Sequence, residues 1–316
     1  MYKQQQPIGS EFNNRSTADE VLAGIDLSGK TALVTGGYSG LGLETVKALS
    51  RAGARIVVPA RRPDVARQAL EGVANVDVLG MDLTDLDSVR SAAAEIVAEH
   101  PSIEIAILDA GIMACPETRV GPGWEAQFAT NHLGHYVLIN RIWPVFANGA
   151  RVVAVSSGGH GITGMRWDDV HFETGYDKWQ AYGQSKTANV LFAVKLDELG
   201  RSANVRSFSL HPGAILTPLQ RHLSKDEMVS AGWIDADGNL ADPTFKTREQ
   251  GAATQVWAAT NPRLEGIGGV YCEDCEVAAI SRQDGQPGVK PHAIDPEEAT
   301  KLWAYSAELT GENAFA

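Results

Sequence analysis

From residue 31 onward, short apolar runs rich in Val, Ile, Leu and Ala alternate with longer helix-like stretches, and this rhythm narrows the available folds most. Strand-like runs lie at 31–35, 55–59, 76–80, 103–109, 151–156 and 205–211, with a last short one at 269–272. Helical spacing covers 41–52, 85–98, 125–146 and 181–199 between them. A helix between two strands carries the chain back to the same end of a sheet, so the strands run parallel and the crossovers are right-handed. Nearly continuous apolar runs fit strands covered on both faces. The expected fold is therefore α/β, one domain built on a doubly wound parallel sheet. Its ligand site should lie beyond the carboxyl ends of the strands.

The ends and one interruption complete the plan. Thr17-Ala18-Asp19-Glu20 ahead of Val21 and Leu22 has capping-box spacing and predicts a short helix. Residues 1–15 are polar and read as loose, within an N-terminal extension over 1–27 that precedes a domain over 28–316. The rhythm fails at 214–245, where Pro218, Gly232, Asp237-Gly238 and Asp242-Pro243 punctuate a mixed stretch. A break after a late strand is a natural place for a substrate lid.

Composition excludes several functions. Asp and Glu number 39 against 27 Lys and Arg, a net charge of -12, which argues against nucleic acid as a partner. No run of about 18 apolar residues is present, so no membrane span is expected. The N-terminus lacks an apolar signal core, and a cytoplasmic location is expected. Three cysteines, Cys115, Cys272 and Cys275, do not suggest a disulfide framework. Cys272 and Cys275 have the spacing of a redox pair or half a zinc site. Zinc takes about four ligands, and without a second pair no metal is expected.

Thr35-Gly36-Gly37-Tyr38-Ser39-Gly40-Leu41-Gly42 joins the first strand to the first helix. Glycine permits a tight turn and close backbone approach. A helix N-terminus offers unpaired N–H groups to a pyrophosphate. The second strand ends in Ala60-Arg61-Arg62. A carboxylate there would accept from the ribose of NAD, whereas a guanidinium suits a 2′-phosphate. The expected cofactor is NADP(H), with Arg61 as the better phosphate contact. Asp82, after the third strand, is placed either to accept from an adenine amino group or to cap the next helix.

Tyr182 and Lys186 stand four apart in a helical stretch and so share a face. A tyrosine titrates near 10, and an ammonium nearby favours its phenolate. Ser156-Ser157 closes the fifth strand, and alternation lets one of the two face a substrate.

Taken together, these motifs resemble the short-chain dehydrogenase/reductase family. The likeness also rests on Asp109-Ala110-Gly111, Asn131-His132-Leu133-Gly134-His135 and His211-Pro212-Gly213, in family order over residues 28–275. The resemblance implies a Rossmann-like fold and an alcohol/carbonyl oxidoreductase. It makes Tyr182 the acid/base, Ser157 the carbonyl-polarising donor, Lys186 the ribose-binding lysine that lowers the tyrosine pKa, and Asn131 the holder of a relay water. It assigns Gly36, Tyr38, Ser39, Gly40, Leu41 and Gly42 to the pyrophosphate loop. Asp82, Leu83, Ala110, Gly111, Pro212, Gly213, Ile215 and Thr217 complete the cofactor contacts. It further implies a homodimer or homotetramer. Asn131–His135, Ala60-Arg61 and Gly268-Gly269-Val270-Tyr271-Cys272 are similar to the retinol-dehydrogenase-like branch, which implies a lipophilic small-molecule substrate.

Two departures stand out. Asp109 replaces the family's asparagine, and the interval from Ser157 to Tyr182 is long and holds Trp167, Tyr176 and Trp179. This interval is expected to loop over the pocket, with His160 and Trp167 as candidate lining. His132 and His135 read as packing residues. Alternative functions are reduction of a carbon–carbon double bond and a non-catalytic NADP(H) sensor or scaffold.

Overall fold

The apolar runs become eight strands of one sheet in the computed structural model, which describes residues 4–283 and 286–316. They are β1 (Thr31–Thr35), β2 (Arg55–Ala60), β3 (Val76–Gly80), β4 (Ile103–Leu108), β5 (Phe146–Val155), β6 (Arg206–His211), β7 (Val270–Glu273) and β8 (Glu276–Val277). Their spatial order is β3-β2-β1-β4-β5-β6-β7-β8. The first seven are parallel, and β8 returns antiparallel on β7. β1 lies between β2 and β4, so the order reverses there and the loops leaving β1 and β4 part to open a crevice.

Helices cover both faces. They are α1 (Ala18–Val21), α2 (Gly40–Arg51), α3 (Pro63–Ala69), α4 (Leu86–Glu99), α5 (Gly134–Ile142), α6 (Lys178–Gly200), α7 (Lys225–Ser230), α8 (Arg248–Thr260) and α9 (Pro296–Thr310). Strand alternation divides the core. Ala32 and Val34 pack with α1, α2 and α8 on one face, while Leu33 packs with α4, α5 and α6 on the other. None of the helices is long and apolar enough to cross a membrane, among the described residues.

Two expectations are corrected. The stretch 125–146 is not one helix. It begins as a turn at Ala126–Phe128, widens to a π-turn at Ala129–Leu133, continues as α5 and ends in a 3-10 turn at Trp143–Val145. Pro144 has no N–H to extend an α ladder, and Phe146 already belongs to β5. Residues 4–15 are also held in place rather than loose. The Gln5 amide accepts from the Tyr271 N–H at 2.9 Å and donates to the carbonyls of Tyr271 and Ala278 at 2.9 and 2.6 Å. One glutamine thus ties β7 to the residue that follows β8. Glu276 accepts from the N–H groups of Ile8 and Ser10 at 2.8 and 2.7 Å. Residues 1–3 lie outside the described part.

The capping box at Thr17 and Glu20 forms with both of its bonds. It turns Ala18, Val21 and Leu22 onto α8, where with Leu27 they join the main core. The extension is therefore part of the domain's packing. Burying a full aliphatic side chain is worth about 1.5–3 kcal/mol. Removal of residues 1–27 should lower the melting temperature by more than about 5 °C, measured by circular dichroism. An unchanged melt would show that the extension adds nothing.

Candidate active site

A cleft of about 1070 Å³ opens at the carboxyl ends of the strands. Gly36, Tyr38, Ser39, Gly40 and Leu41 line it from the turn after β1. Gly36 has a φ of +69° and Gly40 one of +54°, conformations that suit glycine. A Cβ on Gly36 would stand 3.0 Å from the Ala110 Cα, and one on Gly42 would stand 2.5 Å from the Gly36 carbonyl oxygen. Gly42 therefore does not line the cleft; it lets α2 pass directly beneath the loop. Ser39 begins α2 without a side-chain cap bond, which leaves the helix's first N–H groups for a ligand.

The remaining expected cofactor residues gather on the same cleft. Arg61 lines it, exposed, from the end of β2, with Asp82 and Leu83 after β3. Arg51, Arg55 and Arg67, close in sequence, are paired with aspartates, whereas Arg61 makes no ion pair among the described residues. Asp82 is not the cap of α4, since Asp85 takes that role. One Asp82 oxygen accepts from the Thr84 N–H and hydroxyl at 2.9 and 2.7 Å, so the carboxylate is fixed by a turn. Ala110, Gly111, Pro212, Gly213, Ile215 and Thr217 also line the cleft. The Thr217 hydroxyl is engaged in capping the turn that follows, accepting from the Leu219 N–H at 3.2 Å.

Ser157, Tyr182 and Lys186 converge on the floor. Asp177 caps α6 by accepting from the N–H groups of Trp179 and Gln180, and Tyr182 and Lys186 lie on the helix face turned to β5. The Ser156 hydroxyl is engaged, donating to the Lys186 carbonyl at 2.7 Å. Ser157 points in, accepts from the Gly159 N–H at 3.0 Å and hydrogen-bonds Tyr182. Gly159 has to be small: a Cβ there would lie 2.8 Å from the Tyr182 ring. The Lys186 ammonium donates to the Val155 carbonyl at 3.0 Å and sits 5.7 Å from the centre of the Tyr182 ring.

Electrostatics corrects one expectation. The protein's own groups do not lower Tyr182. Burial pushes its phenol up to about 12, against the opposing Ser157 bond. Burial likewise pulls Lys186 down to about 8, opposed by Asp109. Desolvation exceeds the effect of an ammonium whose nearest acceptor is a backbone carbonyl.

Asn131 lies behind the cleft, fully buried within the π-turn. Its amide accepts from the Ile112 N–H and donates to the Ile112 carbonyl and the Ser185 hydroxyl, each at 2.9 Å. It ties the segment that follows Gly111 to α6. His132 meets Ser306 at 2.7 Å and His135 meets Thr35 at 2.9 Å, so both are engaged in the core. His160 and Trp167 do not line the cleft. His160 is buried against the Ser157 carbonyl at 2.7 Å, and Trp167 donates to Glu298 at 2.7 Å. Cys272 and Cys275 are buried thiols, and burial pushes Cys275 up to about 12.

Sequence reasoning missed part of the substrate wall, Met113 and Phe245, which join Leu219 and Trp233 near Tyr182. Trp179, from the interval expected over the pocket, does line the cleft. Trp179 stands perpendicular to Tyr182 and to Trp233, with ring centres 6.3 and 6.4 Å apart. Trp179 precedes Tyr182 by three residues and so shares its helix face.

Comparison with known proteins agrees with this geometry. A family model described as short chain dehydrogenase matches residues 30–228. A "Probable oxidoreductase" of Streptomyces lividans is 44% identical over 296 residues, 90% of this chain and 98% of that protein. Human "Retinol dehydrogenase 14" is 35% identical over 307 residues, 90% of this chain and 87% of its own. The crystal structure of an uncharacterized protein from Mycobacterium paratuberculosis has a TM-score of 0.72 at 30% identity, covering 96% of this chain and 99% of the other. The chain belongs to the short-chain dehydrogenase family, on its retinol-dehydrogenase-like side. Members of this family are oxidoreductases that bind a nicotinamide cofactor.

Asp109 holds a distinct place in this site. Its carboxyl accepts from the Gly42 N–H and faces Gln255 and Lys186. Burial raises it to about 7, with Lys186 the largest opposing influence. An unfolded aspartate titrates near 3.9. The folded state therefore keeps a proton that the unfolded state releases, and stability falls as pH climbs from about 4 to about 7. Asp109→Asn should leave the melting temperature nearly unchanged at pH 4 and raise it by a few degrees at pH 8. A gain independent of pH would contradict this account.

Proposed function

We propose that the chain is an NADP(H)-dependent alcohol dehydrogenase/carbonyl reductase for lipophilic substrates. The carrying observation is the convergence of Ser157, Tyr182 and Lys186 on one cleft into which the end of β2 presents Arg61 instead of a carboxylate. The residues present fit the cofactor. The glycine turn leaves no room for a Cβ at Gly36, the start of α2 is uncapped, and Arg61 is free to pair.

The loop over residues 36–42 holds the pyrophosphate on backbone N–H groups, and Arg61 takes the 2′-phosphate. Asp82 and Leu83 flank the adenine; Pro212, Gly213, Ile215 and Thr217 flank the nicotinamide. When bound, the cofactor supplies hydride to a carbonyl carbon or removes it from an alcohol. Ser157 donates to the substrate oxygen and polarises it. Tyr182 gives that oxygen its proton in reduction and takes the proton in oxidation. Lys186 binds the ribose and replenishes the proton, with Asn131 holding the backbone of the relay in place. Trp179, Trp233, Met113 and Leu219 favour an apolar substrate and exclude water. A phenol held near 12 is protonated at neutral pH and is thus suited to reduction.

A panel of aliphatic, aromatic and isoprenoid aldehydes and ketones, followed by NADPH and NADH oxidation at 340 nm, tests the reading. NADPH should be strongly preferred, and the product should be the alcohol. Binding of NADPH without turnover of any carbonyl would leave a sensor, and a saturated product would indicate double-bond reduction. Tyr182→Phe should lower kcat by about 10²–10⁴-fold, the range for a lost general acid, with the Kd for NADPH within a few-fold. Arg61→Ala should weaken NADPH by about 10–100-fold, as for a charge-assisted bond, and leave NADH unchanged. Equal weakening of both cofactors would remove Arg61 from the 2′-phosphate.

A further inference from the structure

The turn that leaves β5 carries Ser157, and the residues next to it do little to hold it. Gly158 and Gly159 have no side chains, so His160 is the first residue able to anchor the turn. His160 is almost fully buried and does not line the cleft. Its backbone N–H and its ring Nδ1 both meet the Ser157 carbonyl, at 3.1 and 2.7 Å.

The ring proton can be placed. In a neutral imidazole one nitrogen donates and the other accepts, so a bond made by one fixes the other. His160 Nε2 accepts from the Lys290 N–H at 3.1 Å, and a peptide N–H can only donate. Nδ1 therefore carries the proton and donates to Ser157. Burial holds the ring down to about 4, against the Ser157 bond, so it stays uncharged at neutral pH. The Tyr271 hydroxyl lies 3.3 Å from the same Nδ1 and gives its own proton to Glu273. Glu273 also accepts from the Gly288 N–H at 2.8 Å. The His160 carbonyl accepts from His292 Nε2 at 3.0 Å and from the Thr187 hydroxyl of α6 at 3.1 Å. A buried network satisfied in this way holds one geometry.

We propose that His160 is a positioning residue for the reaction: its Nδ1–H grips the Ser157 carbonyl and so aims the Ser157 hydroxyl at Tyr182 and the substrate oxygen, with the Lys290 N–H selecting the tautomer. The inference rests on the carbonyl-reductase reading above, in which Ser157 polarises the substrate. The same short turn carries the Gly159 N–H, which donates to the Ser157 hydroxyl at 3.0 Å. It also passes so close to the Tyr182 ring that a Cβ on Gly159 would lie 2.8 Å from it. Turning the peptide after Ser157 therefore moves the hydroxyl's donor and crowds the phenol together. A displacement of about 1 Å can cost about 10²-fold in rate. Residues 288–292, far from Ser157 in sequence, reach the reacting serine through this ring.

Full-length wild type, His160→Leu and His160→Asn are compared in kcat, KM and the Kd for NADPH with the best aldehyde, each also in a Ser157→Ala background. The leucine variant should lose about 10–100-fold in kcat, with KM and the Kd for NADPH within about threefold of wild type. Asparagine puts an amide N–H where the ring has Nδ1–H and should recover kcat to within about fivefold of wild type. Where Ser157 is already alanine, leucine should cost less than about threefold more, because its effect passes through the serine hydroxyl. In NMR spectra of the histidine rings, the signals lost on His160→Asn should be those of a ring protonated on Nδ1. A ring protonated on Nε2, or the full leucine loss repeated in the Ser157→Ala background, would overturn the proposal. So would a leucine variant with wild-type kcat, or one whose NADPH affinity falls in step with kcat, which marks a role in the fold alone. If the wild type reduced no carbonyl, the reaction reading would fail and this role with it, while the tautomer would still report whether the grip on Ser157 exists.

Discussion

The junction between the end of β5 and α6 is the constraint on which the site depends. Ser156 donates to the Lys186 carbonyl at 2.7 Å, while Lys186 and Asn189 donate to the Val155 carbonyl at 3.0 and 3.1 Å. A strand end and a helix middle are thereby fixed in register at a buried place. Within that register Ser157 falls opposite Tyr182, and Gly159 leaves room for the phenol ring. The chemistry of the floor follows from this backbone arrangement. Side chains held by packed elements are positioned far more tightly than side chains on free loops.

Most of the sheet was legible in the sequence because strands buried on both faces carry dense apolar runs. β1 and β3 fall where the pattern puts them, and the others differ by a few residues at their ends. The glycine turn, the Tyr/Lys pair and the facing serine were legible because each obeys a fixed spacing. The N-terminal extension was not. Gln5 acts through a long-range contact with β7 that no local pattern announces. The π-turn around Asn131 was equally hidden, since a widened turn leaves the apolar spacing of a helix almost unaltered. Trp167 and His160 were misplaced for a related reason: their parts of the long interval before Tyr182 fold back onto α9 and β7, while Trp179 of the same interval lines the cleft.

Burial and charge compete throughout the floor, and burial sets the resting state. Tyr182 is pushed up, Lys186 down and Asp109 up, all by desolvation. A site so arranged keeps Tyr182 protonated at neutral pH, with Asp109 near the middle of its titration and Lys186 still mostly charged. Asp109, where the family has an asparagine, fits this arrangement because a protonated carboxyl can donate as an amide does. The departure therefore preserves hydrogen-bonding capacity at the price of a dependence on pH.

The cleft's upper rim follows the opposite rule. Arg61, Arg62 and Arg221 line it and make no ion pair among the described residues, in a molecule that is otherwise acidic. A local cationic rim within a negative field concentrates an anionic ligand at the one place equipped to hold it. An apolar, proton-retaining floor and a cationic rim divide the work: the rim selects and orients a phosphate-bearing cofactor, and the floor handles a neutral oxygen substrate. The lid turn over residues 217–222 touches both regions, with Thr217 and Pro218 on the glycine loop and Leu219 on the wall beside Tyr182.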